Sequence, residues 1–452
     1  MRRSLAAGRV RSLGEVSAWV DGVLGEARHA AARRGEAVWA CARVAMEGPA
    51  IADGLSVASP TLSWGFREPD GRVTLAWGEA LAARAEGEGA LGSAASRLRA
   101  LGAAAGLPTD LWVGGGAAFQ AGRSWRGFPD ASLVLPELAV RREPDGTGWW
   151  QLAARVAPPG TGQARPLGLP VARRAGASHP ATLVSTRFIP RPERWRDQVA
   201  AVVRALDRGR VGKVVLARAV DLGFAEPVGL DALWAALTDD AAASVFVVRQ
   251  GGGVFLGATP ELLARVDEGR VFTQAVAGTE RLDVGADVLL ARPKDRREHR
   301  VVVDTIVRRL SRLTDRVVVH PLGAIRAGTL YHLATTVEGW LRPEHGLYDV
   351  VTALHPTPAV GGDPPSAALV WQRRLEAATR GWYAGPVGLA EIGGTSGVFY
   401  VGLRSAWVRG RRVRLFAGCG LVRGSDPDRE LDESSQKLGV MVQALARAEG
   451  RL

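Results

Sequence analysis

Apolar positions mark elements clearly only in the second half of the chain. Over 190–206, Trp195, Val199, Val202, Val203 and Leu206 recur at helical spacing and predict a helix. Short apolar runs between turn residues predict strands over 211–220, 245–249, 254–258, 262–266 and 271–275. A longer helix is expected over 296–313, with Val303, Ile306, Val307, Leu310 and Leu313 on one face. The stretches 399–409 and 413–417 read as a hairpin turning at 409–412, and 426–448 reads as a closing helix. In the first half strands are weakly defined, as at 37–44, 111–115 and 149–156, and the Pro/Gly-rich stretch 157–170 reads as a loop. The pattern divides the chain into 1–185 and 186–452. Strands, then helices, then strands, without strict alternation, favour an α+β fold with antiparallel sheet over a doubly wound one.

Composition narrows the class. The chain has 452 residues, 47% hydrophobic and 23% charged, which suits a globular protein and not a disordered one. No apolar run reaches 18 residues, so no membrane span is expected. Arg9, Arg11 and Glu15 interrupt the apolar stretches near the start, which argues against a secretory leader. Two cysteines, Cys41 and Cys419, are too few for a disulfide framework, and a cytoplasmic location is expected. The net charge of +12 comes from arginine scattered along the whole length. No zinc-finger spacing, RNA-binding aromatic motif or basic tail accompanies it, so no nucleic-acid partner is expected. Lysine is the informative residue: only Lys213, Lys294 and Lys437 occur among 58 basic residues. Arginine keeps its proton at any working pH, whereas a desolvated lysine can give it up. Each surviving lysine is therefore a candidate for chemistry.

Four segments carry that chemistry. In GRVGKVVLARAV, Lys213 opens an apolar strand and shares a face with Val215 and Ala217. In FLGATPELLARV, Glu261 follows Thr259-Pro260 between two apolar strands, where a carboxyl of raised pKa could donate a proton. In ARPKDRREHRVVVDTI, Pro293 starts a helix that carries Asp295 and Glu298 on one face. In AGCGLVRGSDPDRELDESSQK, Asp426-Pro427 starts another, with Glu430, Glu433 and Lys437 on one face. Four carboxylates from two helices would repel unless a cation joined them. An all-oxygen set of this kind suits Mg²⁺ and offers nothing soft for zinc.

In this order the segments resemble the chorismate-binding enzyme superfamily, over about residues 190–445. QAVAGTERL, YHLATTVEGWL, LHPTPAVGGDP, RGWYAGPVG and VFYVGLRS extend the match. The resemblance implies a single large α+β unit of two packed, mainly antiparallel sheets surrounded by helices. Residues 1–185 would be its divergent half, contributing strands and helices to the same fold. It also implies a member: the ammonia-using enzymes typically carry glutamine where Lys213 stands, and a lysine there resembles the base that activates water. Ala277 occupies the position of a nucleophilic lysine in aminodeoxychorismate synthases, and LHPTPAVGG is similar to the isochorismate synthase form. The implied activity is an isomerase converting chorismate to isochorismate with Mg²⁺, for menaquinone biosynthesis. The alternatives are a salicylate synthase, a siderophore-pathway isochorismate synthase and, further off, an aminating large component. Chorismate would be the partner, with no glutaminase subunit and no membrane.

The roles implied by that resemblance are specific. Lys213 would be the base and Glu261 the acid. Glu298 and Glu430 would hold the metal, with Asp295 and Glu433 acting directly or through water. Tyr383 and Arg404 would clamp the enolpyruvyl carboxylate. Lys437, His332, Thr335 and the backbone around Gly278, Thr279 and Gly420 would line the pocket, Thr335 being the loosest match because Thr336 adjoins it. Lys294 receives no role. Cys419 stands where the family usually has alanine, a change a small buried residue accommodates.

Overall fold

The computed structural model describes residues 2–3, 9–47, 55–161, 181–239, 243–327 and 330–449. Two mainly antiparallel sheets account for its strands. The first, of 14 strands, runs from Val38–Met46 through Gly148–Val156, Leu138–Arg142, Val73–Trp77, Leu62–Arg67, Ser244–Gln250, Gly253–Thr259, Ser405–Arg409 and Arg412–Leu421. It ends at Lys213–Phe224 and Leu183–Ile189, with short edge pairings besides. The second, of ten strands, runs from Thr314–Val319 through Leu330–Leu341, Arg270–Arg281, Leu262–Asp267, Gly397–Val401, Pro386–Glu391, Trp112–Ala117 and Ala131–Leu135 to Leu81–Ala85. Residues before 160 thus supply strands to both sheets.

The near-continuous apolar runs explain the layering. Lys213–Phe224 is buried on both faces over its first eight residues. Ala217 and Ala219 face the core between the sheets with Phe246, Phe255 and Phe399. Val214 and Leu216 pack the other way, against Trp195, Val199 and Val202 of the helix Pro192–Asp207. Burying such a helix face contributes roughly 1.5–3 kcal/mol per large apolar side chain. Two further helices carry acidic residues: Pro293–Leu310 packs on the second sheet, and Pro427–Ala448 lies against Arg412–Leu421. Asp426 caps the latter by accepting from the backbone N–H groups of Asp428 and Arg429. Among the described residues no helix is long and apolar enough to cross a membrane.

Several sequence expectations shift. The helix expected over 296–313 begins at Pro293, which serves as a first-turn residue, and ends at Leu310. The stretch 399–409 is not one arm of a hairpin. Gly397–Val401 belongs to the second sheet and Ser405–Arg409 to the first, and only the latter pairs with Arg412–Leu421. The helices Leu13–Arg34 and Ala90–Ala104 went unread because Ala, Gly and Arg fill them with little apolar contrast. Of the loop expected over 157–170, residues 162–170 lie outside the described residues.

Candidate active site

Two connections cross from one sheet to the other, and each carries a candidate side chain. Thr259-Pro260-Glu261 joins Gly253–Thr259 to Leu262–Asp267, and Gly402-Leu403-Arg404 joins Gly397–Val401 to Ser405–Arg409. They are tied together: Thr259 Oγ1 donates to the Val401 carbonyl at 2.6 Å, and Val401 N–H donates to the Glu261 carbonyl at 3.0 Å. The Glu261 side chain is 4% exposed, and its Oε1 accepts from the Thr357 hydroxyl at 3.4 Å. Burial pushes its carboxyl up to about 7, against the opposing pull of Lys213, Thr357, Arg404 and Lys437.

Arg404 takes a left-handed backbone, φ 45°, an uncommon conformation for a residue with a side chain. Its Nη2 donates to His332 Nε2 at 3.1 Å. An imidazole that accepts at Nε2 carries its proton on Nδ1, which here donates to the Gly278 carbonyl at 3.0 Å. Burial, with Arg404 and Lys437 adding to it, pushes His332 down to about 3, so the ring is neutral. Gly278 sits at a bulge with φ 77°, and a Cβ there would stand 3.2 Å from Asp295 Cβ. Glycine at this position lets the Arg270–Arg281 strand lie against the Pro293–Leu310 helix.

Each of the three lysines meets a different glutamate. Lys213 Nζ, 2% exposed, lies 2.7 Å from Glu298 Oε1; Lys437 Nζ lies 2.5 Å from Glu433 Oε1 and 3.1 Å from the Gly418 carbonyl; Lys294 Nζ lies 3.7 Å from Glu430 Oε1. A Cβ on Gly420 would come within 2.5 Å of Glu298 Oε1 and 2.9 Å of Lys213 Cε, so the bare backbone there makes room for the first pair. Burial, then the charge of Glu433, pushes Glu430 up to about 7, while Lys437 holds Glu433 down against its burial. Asp295 is raised by burial and by Glu298. Ser425 hydrogen-bonds the Glu430 carboxyl, but among the described residues Glu430 Oε2 is buried without a hydrogen-bond partner. Asp295, Glu298, Glu430 and Glu433 could offer hard oxygen ligands to Mg²⁺. Among the described residues the ligand atoms that gather within 4.8 Å of one another are those of Glu430, Glu433 and Cys419, so a thiol borders the set that the sequence led us to expect as all oxygen.

One cavity is lined by Glu261, Gly278, Thr279, Lys294, Asp295, Glu298, His332, Tyr383, Arg404, Gly420, Glu430, Glu433 and Lys437. Lys213 adjoins it beneath Gly420. Ala277 also lines it, offering no nucleophile. Tyr383 stacks on Phe416 with ring centroids 5.1 Å apart, and burial pushes its hydroxyl up to about 12. Thr335 is a correction. It is three residues from His332 on one strand and so takes the opposite face; its Oγ1 meets His299 Nε2 at 2.8 Å, beside a separate cleft. Cys419 Sγ donates to the Glu430 carbonyl at 3.1 Å, and burial keeps the thiol protonated. Sequence reasoning passed over Thr357, although LHPTPAVGG had been singled out, and left Lys294 unassigned although lysine scarcity had flagged it.

A family model described as chorismate binding enzyme matches residues 68–446. The protein belongs to that family of enzymes. Within it, the chain is 37% identical over 357 residues to the salicylate biosynthesis isochorismate synthase of Pseudomonas aeruginosa, covering 72% of this chain and 71% of that one. It is 35% identical over 282 residues to the isochorismate synthase MenF of Escherichia coli, covering 57% of this chain and 64% of that one. The solved structure of the menaquinone-specific isochorismate synthase MenF of Escherichia coli superposes with a TM-score of 0.75 at 26% identity, over 94% of this chain and all of that one. Anthranilate synthase component I of Streptococcus pneumoniae, 18% identical with a TM-score of 0.65, shares the fold.

Proposed function

We propose that this protein is an isochorismate synthase, converting chorismate to isochorismate with Mg²⁺ bound. The observation that carries the reading is Glu261, a buried carboxylic acid poised near pH 7, lining one cavity with Arg404 and Lys437, with the buried Lys213 adjoining that cavity at Gly420. Lys213 takes a proton from water, whose oxygen attacks ring carbon C2. The double bonds shift, and the C4 hydroxyl leaves as water with the proton of Glu261. General acid and general base each contribute about 10²–10⁴-fold. Arg404, held by His332 and suited to a two-pronged grip, and Tyr383 bind the enolpyruvyl carboxylate. Glu298 and Glu430, with Asp295 and Glu433 directly or through water, would hold Mg²⁺, which when bound would supply the positive charge that offsets repulsion between these acids and a carboxylate substrate.

Ala277 supports water over an enzyme-bound amine as the attacking group, and Lys213 supports water over ammonia. Likeness to the menaquinone-specific enzyme supports menaquinone biosynthesis as the destination, and the 37% identity to the salicylate biosynthesis isochorismate synthase supports salicylate biosynthesis as the second reading. Incubation with chorismate and Mg²⁺, followed by product identification, tests the reading. Isochorismate is expected, with no new product at high ammonium. Salicylate and pyruvate as main products would make the protein a salicylate synthase, and anthranilate or aminodeoxychorismate would move it to the aminating branch.

A further inference from the structure

Glu261 has two carboxyl oxygens, and only one can present the proton to a leaving hydroxyl. Thr357 lies opposite the other. Its side chain is buried, and its hydroxyl makes one hydrogen bond among the described residues, the 3.4 Å contact to Glu261 Oε1. The residue is preset by its own backbone, since the N–H groups of Val360 and Gly361 both donate to the Thr357 carbonyl, at 3.2 and 2.9 Å. The Thr259 hydroxyl and the Val401 N–H fix the Glu261 backbone in turn. Acid and threonine are thus held by separate segments of the chain, and of the two Glu261 lines the cavity.

We infer that Thr357 is a positioning residue for the acid: its donated hydrogen bond occupies Oε1, so that the proton resides on Oε2 and faces the substrate. A hydroxyl that donates to Oε1 disfavours protonation of that oxygen, because two hydrogens would then compete for one gap. On proton transfer the O–H bond at Oε2 breaks, its electrons stay on the carboxylate, and the C4 oxygen departs as water. The same threonine bond then steadies the carboxylate formed. The charged groups acting on Glu261 are Lys213 from its strand, Arg404 from the neighbouring crossover and Lys437 from the closing helix. All three are cations that favour ionisation without choosing an oxygen; the threonine supplies the choice.

This inference rests on Glu261 being the acid of the proposed reaction, so the test measures both. The parent, Glu261→Gln, Thr357→Val and Thr357→Ser are compared for isochorismate formation, kcat and KM across pH 5–9, and melting temperature. Glu261→Gln should be inactive. Thr357→Val keeps the shape and should lower kcat about 10-fold, the size of one lost hydrogen bond to an ionising group, with KM within about 2-fold. Its alkaline limb should move to higher pH, because the threonine bond lowers the acid's pKa. Thr357→Ser restores the hydroxyl and should restore both kcat and limb. An inactive parent or an active Glu261→Gln would sink the reaction as proposed and this inference with it. A dead Glu261→Gln beside a Thr357→Val with parental kcat and limb would overturn Thr357 alone. So would a Thr357→Ser protein that melts like the parent yet recovers nothing.

Discussion

Lys213 Nζ and Glu298 Oε1 meet at 2.7 Å, although the lysine opens a strand of one sheet and the glutamate rides on a helix packed against the other. The carboxylate assigned to the metal is therefore also the counter-ion of the residue assigned as base. EDTA should abolish turnover and Mg²⁺ restore it; full rate in metal-free buffer would refute the metal assignment. Glu298→Gln and Glu430→Gln should each lower kcat/KM by at least about 10²-fold, the scale of metal-supplied charge stabilisation. Their melting temperatures should part. Glu298→Gln strands a buried ammonium, at a cost of about 3–5 kcal/mol. Glu430→Gln removes a carboxyl that burial and Glu433 already disfavour, and should leave the metal-free protein as stable as the parent or more so.

Lys213→Arg keeps the charge but cannot act as a base. Turnover should fall at least about 10²-fold, the low end of a general-base contribution. Lys213→Met, which keeps the length without the charge, should be as inactive. Circular dichroism melts distinguish loss of chemistry from loss of fold. A Lys213→Arg enzyme near the parental rate would mean that another group activates water.

Glu261 gives the protein a pH dependence of stability. Its folded pKa, about 7, lies above the usual 4.5. A raised carboxyl favours the folded state fully below the unfolded pKa, and that advantage is lost as pH rises through the folded one. The difference amounts to on the order of 3 kcal/mol. The metal-free parent should melt lower at pH 8 than at pH 5, and Glu261→Gln should flatten part of that slope. An unchanged slope would mean that Glu261 is ionised in the fold throughout.

Lys294 stands at the mouth of the site. It lines the inner cavity and also an outer cleft in which Arg281, Arg292 and Arg429 alternate with Glu280, Asp295, Glu430, Asp432 and Glu433. At this mixed-charge entrance Arg292 is paired with Glu280 and Arg281 with Asp283, and Lys294 is a cation placed to meet an incoming carboxylate. Lys294→Ala should lower kcat/KM about 5- to 10-fold, mainly through KM, with a deficit that shrinks as salt rises. A defect confined to kcat and indifferent to salt would argue against this role.

The sequence made most of the second half legible, for identifiable reasons. Lys213–Phe224 and Pro192–Asp207 bury continuous apolar surface, so their patterns are unmistakable, and Pro293 and Asp426-Pro427 announce their helices. The site was legible where residue identity carried the signal, as with Glu261, the acidic pairs and the scarce lysines. It was less so where the backbone decides. Nothing in VFYVGLRS says that the chain leaves one sheet at Val401 and enters the other at Ser405, yet that break is what turns Arg404 into the cavity. Thr335 was misplaced because motif alignment ignores strand parity, which pairs its hydroxyl with His299 instead. Thr357 touches the acid only because two distant segments meet, a contact no local pattern encodes.

Near-total replacement of lysine by arginine has a practical corollary. Apart from the α-amine, an amine-selective label finds three targets in this sequence, and all three border one cavity. The side chains of Lys213 and Lys437 are 2% and 13% exposed, that of Lys294 45%. A small acylating dye should therefore mark the native protein at Lys294 first, directly over the entrance. Arginine elsewhere has left this protein with an optical handle at its own doorway, and chorismate or Mg²⁺ arriving there should register as a change in fluorescence.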